Sequence, residues 1–284
     1  MNETQSFREY LQQELKRYAG IIYPIYALPV ERLLIRKLPY RKLHPNPDDE
    51  FCMKTIGPNE EIISKYREII KKAIRDDLPK CFDEPLIVEK ARPDGYMILN
   101  GHHRWAAAIM MDERRIPVEI VNLTRGIDIK KILQHTRNSK RVSMDFDEVI
   151  LIDPDSRNPL CEENLRIGVP ALFHFLKSRD YDIWLYTARY YSMKDIKRFF
   201  RRLSVRVDGI VTGMVSHRPG IGAVRSALDS GAVSVYPRSV HIDSRSVLCI
   251  DRSRKKFMEH DLSGAAETWS QEIMDYIKVY EQNA

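Results

Sequence analysis

Apolar residues recur along the chain in two rhythms, one of three-and-four and one of short unbroken runs, and the change from one to the other marks its elements. From Ser6 to Tyr18, Phe7, Tyr10, Leu11, Leu15 and Tyr18 fall on one side of a helix. A second helix is predicted from Ile62 to Ile74. Pro85-Leu86-Ile87-Val88 and Tyr96-Met97-Ile98-Leu99 then flank Arg92-Pro93-Asp94-Gly95, a turn sequence between two β-rich runs, which predicts a hairpin. Trp105 to Met110 is the next helix, Val118 to Val121 a strand, and Ile127 to Thr136 a further helix. Arg137-Asn138-Ser139-Lys140 is short and polar and marks a linker, so two domains are expected, 1–138 and 139–284.

After the linker, helix and strand alternate. Val142 and Met144 lead through Asp145-Phe146-Asp147 into the apolar run Val149 to Ile152. Asn164 to Lys177 is helical, with Leu165, Val169, Leu172, Phe173 and Leu176 on its apolar side. The strand Ile183 to Tyr186, the helix Ser192 to Leu203, the strand Val205 to Thr212 and the helix Ile221 to Leu228 follow. Two strand-like runs then end in Asp243 and Asp251, and Glu267 to Glu281 closes as a helix. Such alternation predicts an α/β domain built on a parallel sheet.

Composition narrows the class. With 43% hydrophobic residues and no low-complexity tract, the chain has enough apolar surface to bury a core in each domain. No run of eighteen apolar residues and no charged-then-apolar leader occurs, so a soluble, cytoplasmic protein with no membrane partner is expected. Cys52, Cys81, Cys161 and Cys249 form no Cys-x-x-Cys pair and sit in or beside apolar segments, as reduced thiols do. The net charge of +6 lies mostly in residues 1–140. Without a long basic run or an RNP-type aromatic motif it is a slender warrant for nucleic acid, and the same field attracts phosphorylated small molecules.

The second half carries the sharper chemistry. Asp145 and Asp147 close one strand and Thr187 closes another, and strand ends of that kind meet at one edge of a parallel sheet, where open α/β folds bind ligands. One carboxylate can attack phosphorus, the other can carry the proton, and a hydroxyl can hold a phosphoryl oxygen. Asp145-Phe146-Asp147-Glu148-Val149 and Leu185-Tyr186-Thr187 resemble the first two motifs of the haloacid dehalogenase superfamily. The resemblance implies a Rossmann-like fold, an aspartyl-phosphate intermediate on Asp145, and a third-motif cation for which Arg218 stands where the family has Lys. It also implies a Mg²⁺ ion held by Asp145, Asp147 and a late acid. Asp243 and Asp251 are both candidates for that acid.

In the first half, Asn100-Gly101-His102-His103-Arg104 joins a strand to a helix start, a setting in which free amides, a helix dipole and an Arg can cradle a phosphate. The stretch from Tyr23 to Asn122 resembles the ParB N-terminal and sulfiredoxin-like superfamily, an α+β domain whose Gly-x-His-Arg motif binds nucleotide phosphates. That resemblance implies ATP, ADP or CTP at Gly101, His102, His103 and Arg104, with a carboxylate from Asp48-Asp49-Glu50 alongside. His102 stands where sulfiredoxins carry their Cys, which argues against sulfinic-acid repair. The two histidines lack further ligands at metal-binding spacing, and Trp105 and Trp184 read as core aromatics.

Together these readings describe a Mg²⁺-dependent phosphohydrolase or phosphotransferase. A phosphatase domain would act on a phosphorylated small molecule or nucleotide beside a nucleotide-binding, kinase-like domain. The other reading is a nucleotide-sensing ParB-like module that engages DNA or a protein, with the second domain weak as a catalyst.

Overall fold

Helix α1 (Glu3–Tyr18) opens the first unit, followed by β1 (Tyr23–Pro24), α2 (Pro29–Leu34), β2 (Lys37–Pro39), β3 (Leu43–His44), α3 (Glu60–Arg75), β4 (Leu86–Arg92), β5 (Tyr96–Asn100), α4 (His102–Met110) and β6 (Arg115–Ile120). The computed structural model describes residues 3–78 and 81–282. The chain divides into two units, one of Met1–Asn122 with Ser216–Pro219 and one of Leu123–Val215 with Gly220–Ala284.

The strands of the first unit form a mixed sheet in the order β2-β6-β4-β5-β3, with β1 beside β4. The expected hairpin is present as antiparallel β4 and β5. Gly95 turns it at φ +72°, where an added Cβ would lie 2.4 Å from His44 Nε2 and 2.6 Å from the Lys42 carbonyl oxygen, so only glycine fits. Helix α4 buries Trp105 together with Ala106, Ala107 and Ala108. Small residues on that face let α3 and α1 approach closely, and Leu86, Val88, Ile98 and Ile116 complete the core.

The second unit runs α5 (Gly126–His135), β7 (Lys140–Asp145), α6 (Val169–Ser178), β8 (Tyr181–Tyr186), α7 (Met193–Arg202), β9 (Gly209–Val211), α8 (Ile221–Ala227), α9 (Val233–Val235), β10 (Arg238–Ile242), β11 (Ser246–Asp251), β12 (Lys256–Asp261) and α10 (Trp269–Gln282). Its sheet has the order β12-β11-β10-β7-β8-β9. Strands β10, β7, β8 and β9 are parallel, as the alternation predicts, while β11 and β12 add antiparallel. The sheet is therefore mixed.

Three expectations need correcting. The boundary falls after Asn122 instead of near residue 138, because Ile129 and Leu133 of α5 pack with Trp184, Val211, Ile221 and Val224 of the second unit. The run Val149 to Ile152 is no strand. Phe146–Ile150 forms a single π-helical turn, and Leu151 only bridges to Leu165. Val149, Ile150 and Leu151 are all buried, so their hydrophobicity fills the core without laddering to a neighbour. The run Val205 to Thr212 shortens to β9, with Val205 and Val207 buried in the loop before it. Among the described residues no helix is long and apolar enough to cross a membrane.

Candidate functional site

In the first unit the glycine-histidine turn is a fastening as much as a cradle. Gly101 takes a left-handed conformation at φ +100°, and a Cβ there would press at 3.0 Å on both Leu86 and the Arg104 guanidinium. No side chain caps the α4 amides that follow, and the first amides of a helix have no acceptor within it. His102 is buried. Its Nε2 accepts from the backbone N–H of Asn46 at 3.1 Å, leaving the proton on Nδ1, which faces Asp49 Oδ1 at 3.5 Å. His103 repeats the arrangement, its Nε2 accepting from the Asn59 N–H at 3.2 Å at the start of α3. The Phe51 ring stacks on His102 at 5.5 Å and meets His103 edge-on at 5.0 Å. Burial holds both imidazoles below their usual range, His102 at about 4.

Arg104 is buried, donating from Nη1 to Glu84 Oε2 at 2.7 Å and from Nη2 to Asn100 Oδ1 at 3.2 Å. Its Nε has no hydrogen-bond partner. The Glu84 side chain is 84% exposed, so that pair is weak enough for an anion to compete with. Asp49 Oδ1 accepts from Phe51 N–H at 3.0 Å and caps the short turn Glu50–Cys52, whereas Glu50 is exposed. Of the residues expected to touch phosphate, His102 and His103 hold loops, whereas the α4 amides have no side-chain cap and Arg104 keeps one unpartnered nitrogen. Sequence reasoning missed Asn46 and Phe51, whose only signal was their place on either side of the acidic run Asp48-Asp49-Glu50.

At the carboxyl edge of the parallel sheet in the second unit, Asp145 ends β7 beside Tyr186 of β8, and Thr187 follows. Thr187 is buried and donates from Oγ1 to Asp147 Oδ2 at 2.6 Å, while its own oxygen accepts from Arg189 N–H at 2.9 Å. Asp145 Oδ1 accepts from Glu148 N–H at 2.8 Å and so caps the π-helical turn. Burial, and then the Asp145 charge, push the Asp147 carboxyl above the usual range. Arg189 Nε stands 3.6 Å from Asp147 Oδ1 and pairs with Asp155 at 2.7 Å. It is a cation the sequence reading passed over, although it sits in the strand-end run Thr187-Ala188-Arg189.

The late acids separate. Ile242 of β10 pairs with Met144, which sets Asp243 at the same edge as Asp145, exposed and bonded to Ser244. Asp251 pairs in register with Arg238, at the far end of β10, and is bound by Arg238 Nε at 3.1 Å and by Ser253. A metal ligand at Asp251 is therefore corrected. Among the described residues no three His, Cys, Asp or Glu side chains are grouped so as to hold a metal ion; of the two alternatives for the late acid beside Asp145 and Asp147, Asp243 alone shares their edge. Arg218 is buried and belongs, with Ser216, His217 and Pro219, to the first unit. Burial pushes the Cys52 and Cys249 thiols up to about 12 and Cys81 to about 11, so these cysteines are poor nucleophiles.

Comparison with known proteins bears on the first of these sites. Residues 27–136 match the family model of the ParB N-terminal domain. The match contains the whole glycine-histidine turn of this ParB-like region and ends before Asp145. No curated protein matches the chain. Two solved structures of the C-terminally truncated chromosome-partitioning protein ParB from Caulobacter crescentus are similar to parts of it. The one complexed to the centromeric parS site has 21% identity and a TM-score of 0.24, over 37% of this chain and 51% of that one. The one complexed with CTP-γ-S has 17% identity and a TM-score of 0.25, over 60% and 79%. The chain thus spans about half the length of the first of these.

Proposed function

We propose that the ParB-like region is a nucleotide-sensing module that binds the phosphates of a nucleoside triphosphate at the start of α4 and uses that state to engage DNA or a protein partner. One observation carries the reading: inside the family match, a glycine with no room for a Cβ opens a helix whose first amides have no side-chain cap, beside a buried Arg with an unpaired Nε. Nucleic acid as partner suits the positive charge of residues 1–140. CTP is the first ligand to try, because a ParB has been solved with CTP-γ-S. Thermal unfolding of the full chain with CTP, ATP and ADP, with and without Mg²⁺, tests it. Stabilisation by a triphosphate that is lost in Arg104→Ala is expected, and no shift with any nucleotide would overturn the assignment.

A second reading, hydrolysis of phosphomonoesters by the second unit, is favoured by the 2.6 Å hydrogen bond from Thr187 to Asp147 beside Asp145. In this reading Asp145 attacks phosphorus and the ester P–O bond breaks, with Asp147 giving its proton to the leaving oxygen. Asp147 then takes a proton from the water that attacks the aspartyl-phosphate, releasing inorganic phosphate and free Asp145. The raised affinity of Asp147 for a proton suits both transfers. Turnover of p-nitrophenyl phosphate that disappears in Asp145→Asn is expected, and unchanged turnover in that variant would exclude the route.

A further inference from the structure

At the amino edge of the parallel strands in the second unit, away from Asp145, lies a cavity of about 540 Å³, within the range of small-molecule sites. It is lined by residues that precede or open β7, β8 and β9, among them Asn138, Asp182 and Asp208, and by Lys177 of α6 and Lys197 of α7. The two carboxylates are already committed. Asp182 accepts from Asn138 Nδ2 at 2.7 Å, from Tyr236 at 2.8 Å and from Thr136, with Lys177 Nζ at 3.6 Å. Asp208 accepts from Lys177 Nζ at 2.8 Å and from the Ile183 N–H at 2.9 Å, and pairs with Arg206 at 3.2 Å. Lys177 and Arg206 thus balance Asp182 and Asp208, and those oxygens are occupied.

Two cations remain over. Lys197 and Arg137 also line the cavity, and the ion pairs of Asp182 and Asp208 go to Lys177 and Arg206 instead, so that Lys197 feels the Asp208 and Asp128 charges without pairing with either. Lys197 is half-buried, and desolvation lowers its affinity for a proton, so a bound anion would repay what the fold has cost it. The walls are polar, with Thr136 and His135 beside Arg137, and offer little to an apolar ligand. We propose that this cavity is an anion site that takes a phosphate-bearing small molecule, its phosphoryl group held between Lys197 and Arg137. The site is separate from the α4 amides and from the Asp145 edge.

Full-length protein titrated with glucose 6-phosphate, against sodium chloride at matched ionic strength, tests this through thermal stability and through amine labelling of Lys197 read by mass spectrometry. A rise in melting temperature beyond the salt control is expected. It should persist in Arg104→Ala and Asp145→Asn and weaken at least about tenfold in apparent affinity in Lys197→Met, in line with loss of one charge-assisted hydrogen bond. Lys197 in the unaltered chain should be protected from labelling by the ligand, a result that does not depend on the variant folding. Labelling of Lys197 at the same rate with and without ligand would overturn the assignment. So would a thermal shift that Lys197→Met leaves intact, or one that Arg104→Ala or Asp145→Asn abolishes.

Discussion

The backbone N–H of Asn46 donates to Nε2 of His102, tying the loop after β3 to the first turn of α4. The bond requires a neutral imidazole, and burial keeps it so down to about pH 4. Unfolded, the same group takes up a proton near its ordinary value of 6.5. Between those values the unfolded chain binds more protons, so stability rises with pH through the window and falls on acidification from 7 to 4. Urea midpoints at pH 7 and pH 4.5 measure it. His241 has the same sign, being held at about 4 by burial and by Arg141 and Arg252, so the contrast with His102→Gln isolates the first. The variant should start less stable at pH 7 and lose less on acidification; an unchanged slope would remove His102 from the account.

Gly101→Ala should cost about 1–2 kcal/mol from the left-handed backbone alone. It should cost more where the new methyl meets Leu86, since that contact is at 3.0 Å. The Arg104 guanidinium would be displaced as well, so nucleotide-induced stabilisation should fall with the stability. Denaturant unfolding with and without CTP separates the two effects.

Asp147→Asn removes a half-buried charge that lies close to Asp145. Because its folded carboxyl binds a proton more tightly than the ordinary 3.8, the wild-type side chain stabilises the fold only at low pH and loses that contribution as pH rises through the raised value. At pH 7 the variant should be as stable as the wild type or gain about 0.5–2 kcal/mol, while phosphomonoester turnover is lost. A clear loss of stability at pH 7 in chemical denaturation would contradict the electrostatic part of this prediction.

Gly209→Ala should destabilise the second unit by about 1–3 kcal/mol, the usual cost of overpacking. An added Cβ would enter the Trp184 ring, at 2.1–2.5 Å from three of its atoms, and Trp184 is fully buried with its indole N–H on Tyr236. Tryptophan fluorescence during thermal unfolding reports it, and an unaltered midpoint would show that the ring has room to move.

Much of the fold was legible because local chemistry agreed with tertiary need. The Pro-Asp-Gly turn specifies the β4–β5 hairpin, and the spacing of Leu172, Phe173 and Leu176 specifies the buried side of α6. The π-helical turn was not legible, since Val149 and Ile150 are β-formers that the core takes up through a helical backbone. Nor was the role of His102 and His103. A histidine that accepts from a distant backbone N–H has the same letters around it as one that faces a phosphate, and Asn46 and Asn59 are brought there only by the tertiary fold. The choice between Asp243 and Asp251 rested on the direction of β11, which follows from pairing and not from spacing.

Helix α5 lies within the family match yet keeps its apolar side among Trp184, Val211 and Ile221. A fragment cut at residue 136 to follow the homology would therefore carry Ile129 and Leu133 into water, with a sticky stripe of its own making and a matching hole in what was left behind. Trimming at Asn122 spares both pieces that wound, so the safer scissors follow the packing and not the alignment.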